Sequence, residues 1–231
     1  MDFLAQTRDL LGKMIAFPTV SADSNLALIE FLADRLEDAG ARVEVHRDAT
    51  GAKANLFATI GPEVDGGILL SGHSDVVPVA DQAWSSDPFV MVERDNRLYG
   101  RGTCDMKGFL ALTLAAIPDL ATAELKAPVH LAFSYDEEVG CLGAPDMIKV
   151  IATELPKPAL VVVGEPTNME AVRGHKGIST FKVTVTGHEA HSSQTQLGAS
   201  AVMAAVKLMG ELNALAERLE READPASPFT P

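Results

Sequence analysis

Four short segments of the 231-residue sequence carry side chains able to hold a metal and move a proton. In SGHSDVVPV, His73 and Asp75 stand two residues apart on an extended run, so both side chains leave the same side of the backbone. One imidazole nitrogen can then bind a metal while Asp75 accepts the proton on the other, an arrangement common behind metal-ligating histidines. The same pair also reads as a polar strand end. In RGTCDMKGF, Asp105 lies at a glycine-flanked turn into a helix, where it is either a helix N-cap or a ligand. SYDEEVG supplies adjacent carboxylates, Glu137 and Glu138, which point in different directions; one can bind a metal while its neighbour handles a proton, or both can belong to a solvated acidic turn. VVVGEPT sets Glu165 directly after what the composition marks as the most buried strand of the chain, where an unpaired charge would be costly. Each segment alone is weak. Together they bring a histidine and five carboxylates to successive strand ends and turns, the usual location of sites in open α/β sheets.

The elements that must position these residues follow from periodicity. Phe3, Leu4, Leu10, Leu11, Met14 and Ile15 recur at helical spacing and the pattern ends before Pro18. A second helix begins near Ser24 as N-cap, turns Leu28, Ile29, Leu32 and Leu36 inward and stops at Gly40. Strand-like runs cover 42–46, 55–60 and 68–70, a hairpin spans 89–99 around Asp95-Asn96, and helices at about 106–120 and 143–153 alternate with apolar strands at 129–134 and 159–163. Such alternation predicts an α/β layered domain with a central, mostly buried sheet. From Ile178 the texture changes: STFKVTVTG alternates as a strand, with Phe181, Val183 and Val185 on one face, and a polar stretch separates it from a long helix over 199–221.

The four segments, in this order and on these strands, resemble the signature runs of the dinuclear zinc amidohydrolases and peptidases, a family that includes acetylornithine deacetylase, succinyl-diaminopimelate desuccinylase, aminoacylase and glutamate carboxypeptidase. GEPT through AVRGHKG, with W-x-x-D-P-F at 84–89, is most similar to its N-acetylornithine-cleaving branch. The resemblance implies a zinc-peptidase-like three-layer α/β/α catalytic domain with a central mixed sheet over residues 1–177. It also implies the start of an inserted α+β, ferredoxin-like lid or dimerisation domain over 178–231. By the same resemblance His73 and Glu165 hold one zinc, Asp105 bridges and Glu138 binds the second, with Co or Mn as possible substitutes. Asp75 orients His73, Glu137 is the general base, the Asp105–Met106 peptide is cis, and His191 reaches the partner subunit's site of a homodimer to steady the oxyanion. Arg173, beside His175 and Lys176, either contacts a substrate carboxylate or belongs to a polar hinge.

The expected reaction is hydrolysis of an N-acyl amino acid, N-acetylornithine first, with succinyl-diaminopimelate and other N-acyl amino acids or peptides as alternatives. An inactive binding module that keeps relic ligands is the alternative of another class. The family pattern also requires a later histidine for the second zinc, and none follows His191. The resemblance therefore implies a truncated chain, lacking about 100 to 150 residues.

Composition limits the partners. With 19 Lys and Arg against 32 Asp and Glu the net charge is −13, and no basic run exists for a nucleic acid to follow. The longest apolar run falls far short of the ~20 residues of a membrane span. The N-terminus has Asp2 where a signal peptide would be basic, and the chain has only two cysteines; both features lead us to expect a cytoplasmic protein. Cys104, Cys141, His46 and His130 read as structural.

Overall fold

The computed structural model describes residues 2–227 and Phe229. Its residues fall into two compact units, 1–169 and 170–231.

The first unit opens with α1 (Phe3–Ile15) and α2 (Leu26–Asp38). Leu10, Leu11, Met14 and Ile15 of α1 are buried as their spacing requires, whereas Phe3 and Leu4 in its first turn stay exposed. Helix α2 ends where Gly40 takes a left-handed φ of 85°, which no side chain with a Cβ adopts cheaply. Its start differs from expectation. Ser24 accepts a 3.3 Å bond from Leu26 N, but the N-cap position belongs to Asn25, whose amide is committed elsewhere. Asn25 donates to Ala54 O at 2.8 Å and accepts from Ala54 N at 2.9 Å, acting as a substitute strand edge. Asn25→Ala would strand both backbone groups in a buried position, and we expect destabilisation of about 2 kcal/mol, read as a lower urea midpoint at unchanged slope.

Strands β1 (Arg42–Arg47), β2 (Ala54–Ile60) and β3 (Ile68–His73) follow, then the hairpin strands β4 (Val92–Arg94) and β5 (Arg97–Tyr99). Asp95 and Asn96 at the hairpin tip hold φ of 50° and 57°, as a two-residue type I′ turn demands. Helix α3 (Lys107–Thr122), β6 (Val129–Ser134), α4 (Ala144–Glu154) and β7 (Leu160–Val163) complete the unit. The sheet runs β1-β2-β6-β3-β7; β1, β2 and β6 pair antiparallel, whereas β3 runs parallel to both β6 and β7.

Period-two alternation sorts the sheet side chains into two layers. Leu56, Ala58 and Ile60 of β2 and Leu131 and Phe133 of β6 join the buried residues of α1, α2 and α3. Phe57, Leu69 and Ala132 face the other way, onto Met147 of α4. The result is a three-layer α/β/α arrangement about a central mixed sheet. No helix among the described residues is long and apolar enough to cross a membrane.

One expectation is overturned. The most apolar strand is not the most buried: β7 is an edge strand with β3 as its neighbour, and its four residues are 38% to 58% exposed, while β2 is covered on both faces. Apolar composition shows that a strand suits burial, and the cover itself must come from other elements.

In the second unit the alternating run 178–186 forms no strand, and Ile178, Phe181 and Val183 are exposed. A ladder needs a neighbour, and none of the described residues pairs with this segment. A single antiparallel bridge joins His188 to Ala199, a 3-10 turn covers Thr195–Leu197, and α5 (Ala201–Glu222) starts at Ser200, whose hydroxyl accepts from Met203 N at 3.2 Å.

Candidate metal centre

Parallel pairing determines where the site lies. Because β6, β3 and β7 run the same way, their carboxyl ends share one edge of the sheet, the edge at which α/β folds collect ligands. His73 is registered against Ser134, and Ser71 against Val163. The ladder continues one step beyond β7, with Gly164 N donating to Ser71 O at 3.0 Å, which sets Glu165 beside His73. Gly164 permits this approach: a Cβ there would lie 2.0 Å from the Phe109 ring of α3. Asp105 arrives from the turn before α3, and the Asp105–Met106 peptide is cis.

His73 is 1% exposed. Its Nδ1 lies 2.9 Å from the carbonyl oxygen of Asp75 and 3.4 Å from that residue's carboxylate, so Nε2 is the atom presented to the site. Nε2 sits 3.0 Å from Asp105 Oδ1 and 3.7 Å from Glu165 Oε1. The ligand-capable atoms of His73, Asp105 and Glu138 all lie within 4.8 Å of one another, and so do those of His73, Glu137 and Glu165. Six of the eight residues singled out as site members, His73, Asp75, Asp105, Glu137, Glu138 and Glu165, thus meet at one sheet edge. Arg173 and His191 belong to the second unit, where His191 Nδ1 lies 2.8 Å from the Ser193 hydroxyl.

Five carboxylates around one imidazole leave an electrostatic excess. Burial, then the charge of Asp105, holds Glu138 above the usual carboxylate range. Burial also raises Glu165; His73 opposes the rise, and Asp105, Glu137 and Glu138 add to it. Burial alone would lower His73, but its bond to Asp75 and the charges of Asp75, Glu165 and Asp105 outweigh that and push it up to about 9. Asp75 moves the opposite way: burial is outweighed by hydrogen bonds from His73, Ser21 and the Glu137 N–H, and its carboxyl lies below the ordinary range. A divalent cation would relieve this crowding, and a donor set of one imidazole and several carboxylates suits zinc, cobalt or manganese.

A protonated His73 must lose its proton before Nε2 can coordinate. Zinc titrated into the metal-free chain at pH 7 should therefore release close to one proton per ion, and its apparent affinity should climb by roughly tenfold per pH unit below about 9. Calorimetry in two buffers of different ionisation enthalpy measures this; identical heats in both would contradict the protonated imidazole.

Several supporting residues carry no sequence signal. Ser21 donates to Asp75 Oδ2 at 2.7 Å, and Asp75 in turn accepts from Glu137 N at 3.1 Å and Glu138 N at 3.3 Å. Beneath them, Thr19 bonds Ser74 O at 2.6 Å, Asn25 reaches the Ser74 hydroxyl at 2.9 Å and that hydroxyl reaches Ser134 O at 2.8 Å. Lys107 is fully buried; its ammonium donates to Met14 O and Phe17 O at 3.2 and 2.7 Å and so caps the end of α1, while burial lowers it to about 7. A Thr or Ser in a loop, or a Lys at the first position of a helix, has no periodicity to betray it, so only the folded contacts identify these groups.

Fold and site together define a metallopeptidase-type chain: residues 69–230 match the model of peptidase family M20/M25/M40, and the chain belongs to that family. It is 37% identical over 219 residues to acetylornithine deacetylase from Proteus mirabilis, an alignment covering 92% of this chain and 56% of that one. The chain thus spans a little over half the length of the curated relatives it matches. An M20 family metallo-carboxypeptidase from Sulfolobus solfataricus superposes with a TM-score of 0.62 at 25% identity, covering 71% of this chain and 37% of the other. A tripeptidase from Staphylococcus aureus shares the fold at a TM-score of 0.62 and 18% identity, over 89% of this chain and 56% of its own.

Proposed function

We propose that the chain carries most of the metal-binding part of an amidohydrolase that removes the acyl group from an N-acyl amino acid, with N-acetylornithine as substrate and ornithine and acetate as products. The observation that carries this reading is the convergence of His73 Nε2 with Asp105, Glu138 and Glu165 beside the backbone-anchored Glu137. The similarity to acetylornithine deacetylases supports the substrate.

His73, Asp105, Glu138 and Glu165 would hold zinc. Bound there, the metal would polarise the amide carbonyl and acidify water. Asp75 keeps His73 in the tautomer that presents Nε2. Glu137 accepts a proton as the water oxygen bonds to the carbonyl carbon, then returns it to the amine nitrogen as the C–N bond breaks. His191 donates a hydrogen bond to the oxyanion of a partner subunit's substrate, and Arg173 pairs with the substrate carboxylate. Residues 1–177 act as the catalytic part and 178–231 as part of a lid and dimer contact in a homodimer.

Ornithine release from N-acetylornithine by the zinc-loaded protein, assayed beside N-succinyl-diaminopimelate, tests the reading. Faster cleavage of the succinyl compound would reassign the substrate, and hydrolysis of neither would overturn the activity.

A further inference from the structure

Beside the Glu137–Glu138 turn lies a closed circuit of hydrogen bonds in which no member except Asp75 and Glu137 has a place in the chemistry above. Lys53, in the loop before β2, donates from its ammonium both to the Ser21 carbonyl and to the Asp136 carboxylate. The side chains of that ion pair are 14% and 11% exposed. From Ser21 the circuit passes through its hydroxyl to Asp75 Oδ2 at 2.7 Å, and from Asp75 Oδ1 to Glu137 N at 3.1 Å. Asp136 precedes Glu137 in the chain and closes the ring. Asp136 also holds a left-handed φ of 54°, a turn conformation that aspartate accepts more readily than most residues.

The geometry clamps one peptide unit from both ends. The Asp136 side chain is tied to Lys53, and the next N–H is tied to Asp75; the plane between them sets the directions in which Glu137 and Glu138 leave the backbone. Metal and proton chemistry tolerate errors of only about 0.5 Å in such directions. Lys53 touches the first arm directly and reaches the second through Ser21, whose carbonyl it bonds and whose hydroxyl bonds Asp75.

We propose that Lys53 is a positioning residue for the Glu137–Glu138 turn, acting through Asp136 on one side and through Ser21 and Asp75 on the other. The proposal rests on the reading of Glu137 and Glu138 as proton carrier and metal ligand. Its competitor is simple charge balance, in which Lys53 serves only to neutralise a buried Asp136.

Lys53→Met, Lys53→Arg and the double change Lys53→Met with Asp136→Asn separate the two. Zinc affinity is measured by calorimetry on the whole chain, and amide exchange at Glu137 and Glu138 is followed by NMR on the metal-free chain. We expect Lys53→Met to weaken zinc by roughly 10- to 100-fold, the usual cost of losing a group that orients ligands, and to accelerate exchange at both amides. Lys53→Arg should restore both. The double change removes the unpaired carboxylate and should recover thermal stability while leaving zinc affinity and amide protection impaired. Recovery of wild-type zinc affinity and protection in the double variant overturns the proposal in favour of charge balance, as does wild-type behaviour of Lys53→Met itself. Failure of the unaltered chain to bind zinc would instead overturn the metal reading, and Lys53-dependent amide protection would still support the clamp.

Discussion

Glu137→Gln is expected to lower kcat by roughly 10² to 10⁴ while zinc still binds, because the amide keeps the size and hydrogen-bonding reach of the carboxylate but cannot take up a proton from water. The backbone of residue 137 is anchored to Asp75 independently of its side chain, at 3.1 Å, so the substitution leaves the turn in place. The metal ligands proposed here, His73, Asp105, Glu138 and Glu165, are likewise untouched. Steady-state hydrolysis of N-acetylornithine and zinc stoichiometry, measured on the same preparation, give the two halves of the result. Turnover near that of the unaltered protein would remove Glu137 from the proton path, and loss of zinc would reassign it as a ligand. The second outcome has a structural basis to guard against, since Glu137 shares a 4.8 Å cluster with His73 and Glu165.

The second large effect belongs to Asp75→Asn. The Asp75 carboxylate accepts from Ser21 and from the N–H groups of residues 137 and 138, and lies 3.4 Å from His73 Nδ1. An asparagine turns one acceptor oxygen into a donor facing other donors, at a position that is itself buried. Zinc affinity should fall by roughly 10- to 100-fold and turnover with it.

The same variant has a pH signature in the metal-free chain. His73 is raised to about 9 in the folded state, so the stability it contributes is complete below its ordinary value of 6.5 and disappears as pH rises through about 9. Asp75 is lowered, so its contribution is complete above the ordinary value of 3.8 and is lost as acid protonates the folded form. Thermal melts should therefore show a decline on both sides of a plateau between those ordinary values. Asp75→Asn should flatten the alkaline decline, leaving only what Asp105 and Glu165 impose on His73. An unchanged alkaline limb would show that the Asp75 carboxylate does not support the imidazolium.

Much of this architecture is legible without coordinates. Helical spacing located α1 through α4, and the Asp-Asn pair located the hairpin turn, because each rests on local periodicity or local turn chemistry. The six gathered site residues were legible for a related reason: each follows a strand or opens a helix, and the shared direction of β3, β6 and β7 does the rest. What stayed hidden depends on contacts distant in sequence. Asn25 is drawn from helix capping to strand edging by Ala54, which no count of N-cap preferences registers. The charge of Lys53 reads as surface until Asp136 is folded against it. Residues 178–186 show the converse: their alternation is strand-like, yet a strand is a property of a pair, and its partner is not found among the described residues.

The strand order has a consequence for timing. Strand β6 sits between β2 and β3 but leaves the ribosome after both, so neither can complete its pairing until residues 129–134 exist. The three parallel carboxyl ends cannot share an edge before Leu160–Val163 has followed as well. Long-range insertion of this kind is slow compared with helix formation, and it leaves apolar strands uncovered in the interval. Asp75 accompanies His73 from the start, but Glu137, Glu138 and Glu165 can join it only after β6 and β7 have been made. A metal held by His73, Asp105, Glu138 and Glu165 would therefore need the assembled sheet, since the nascent chain cannot bring these four together.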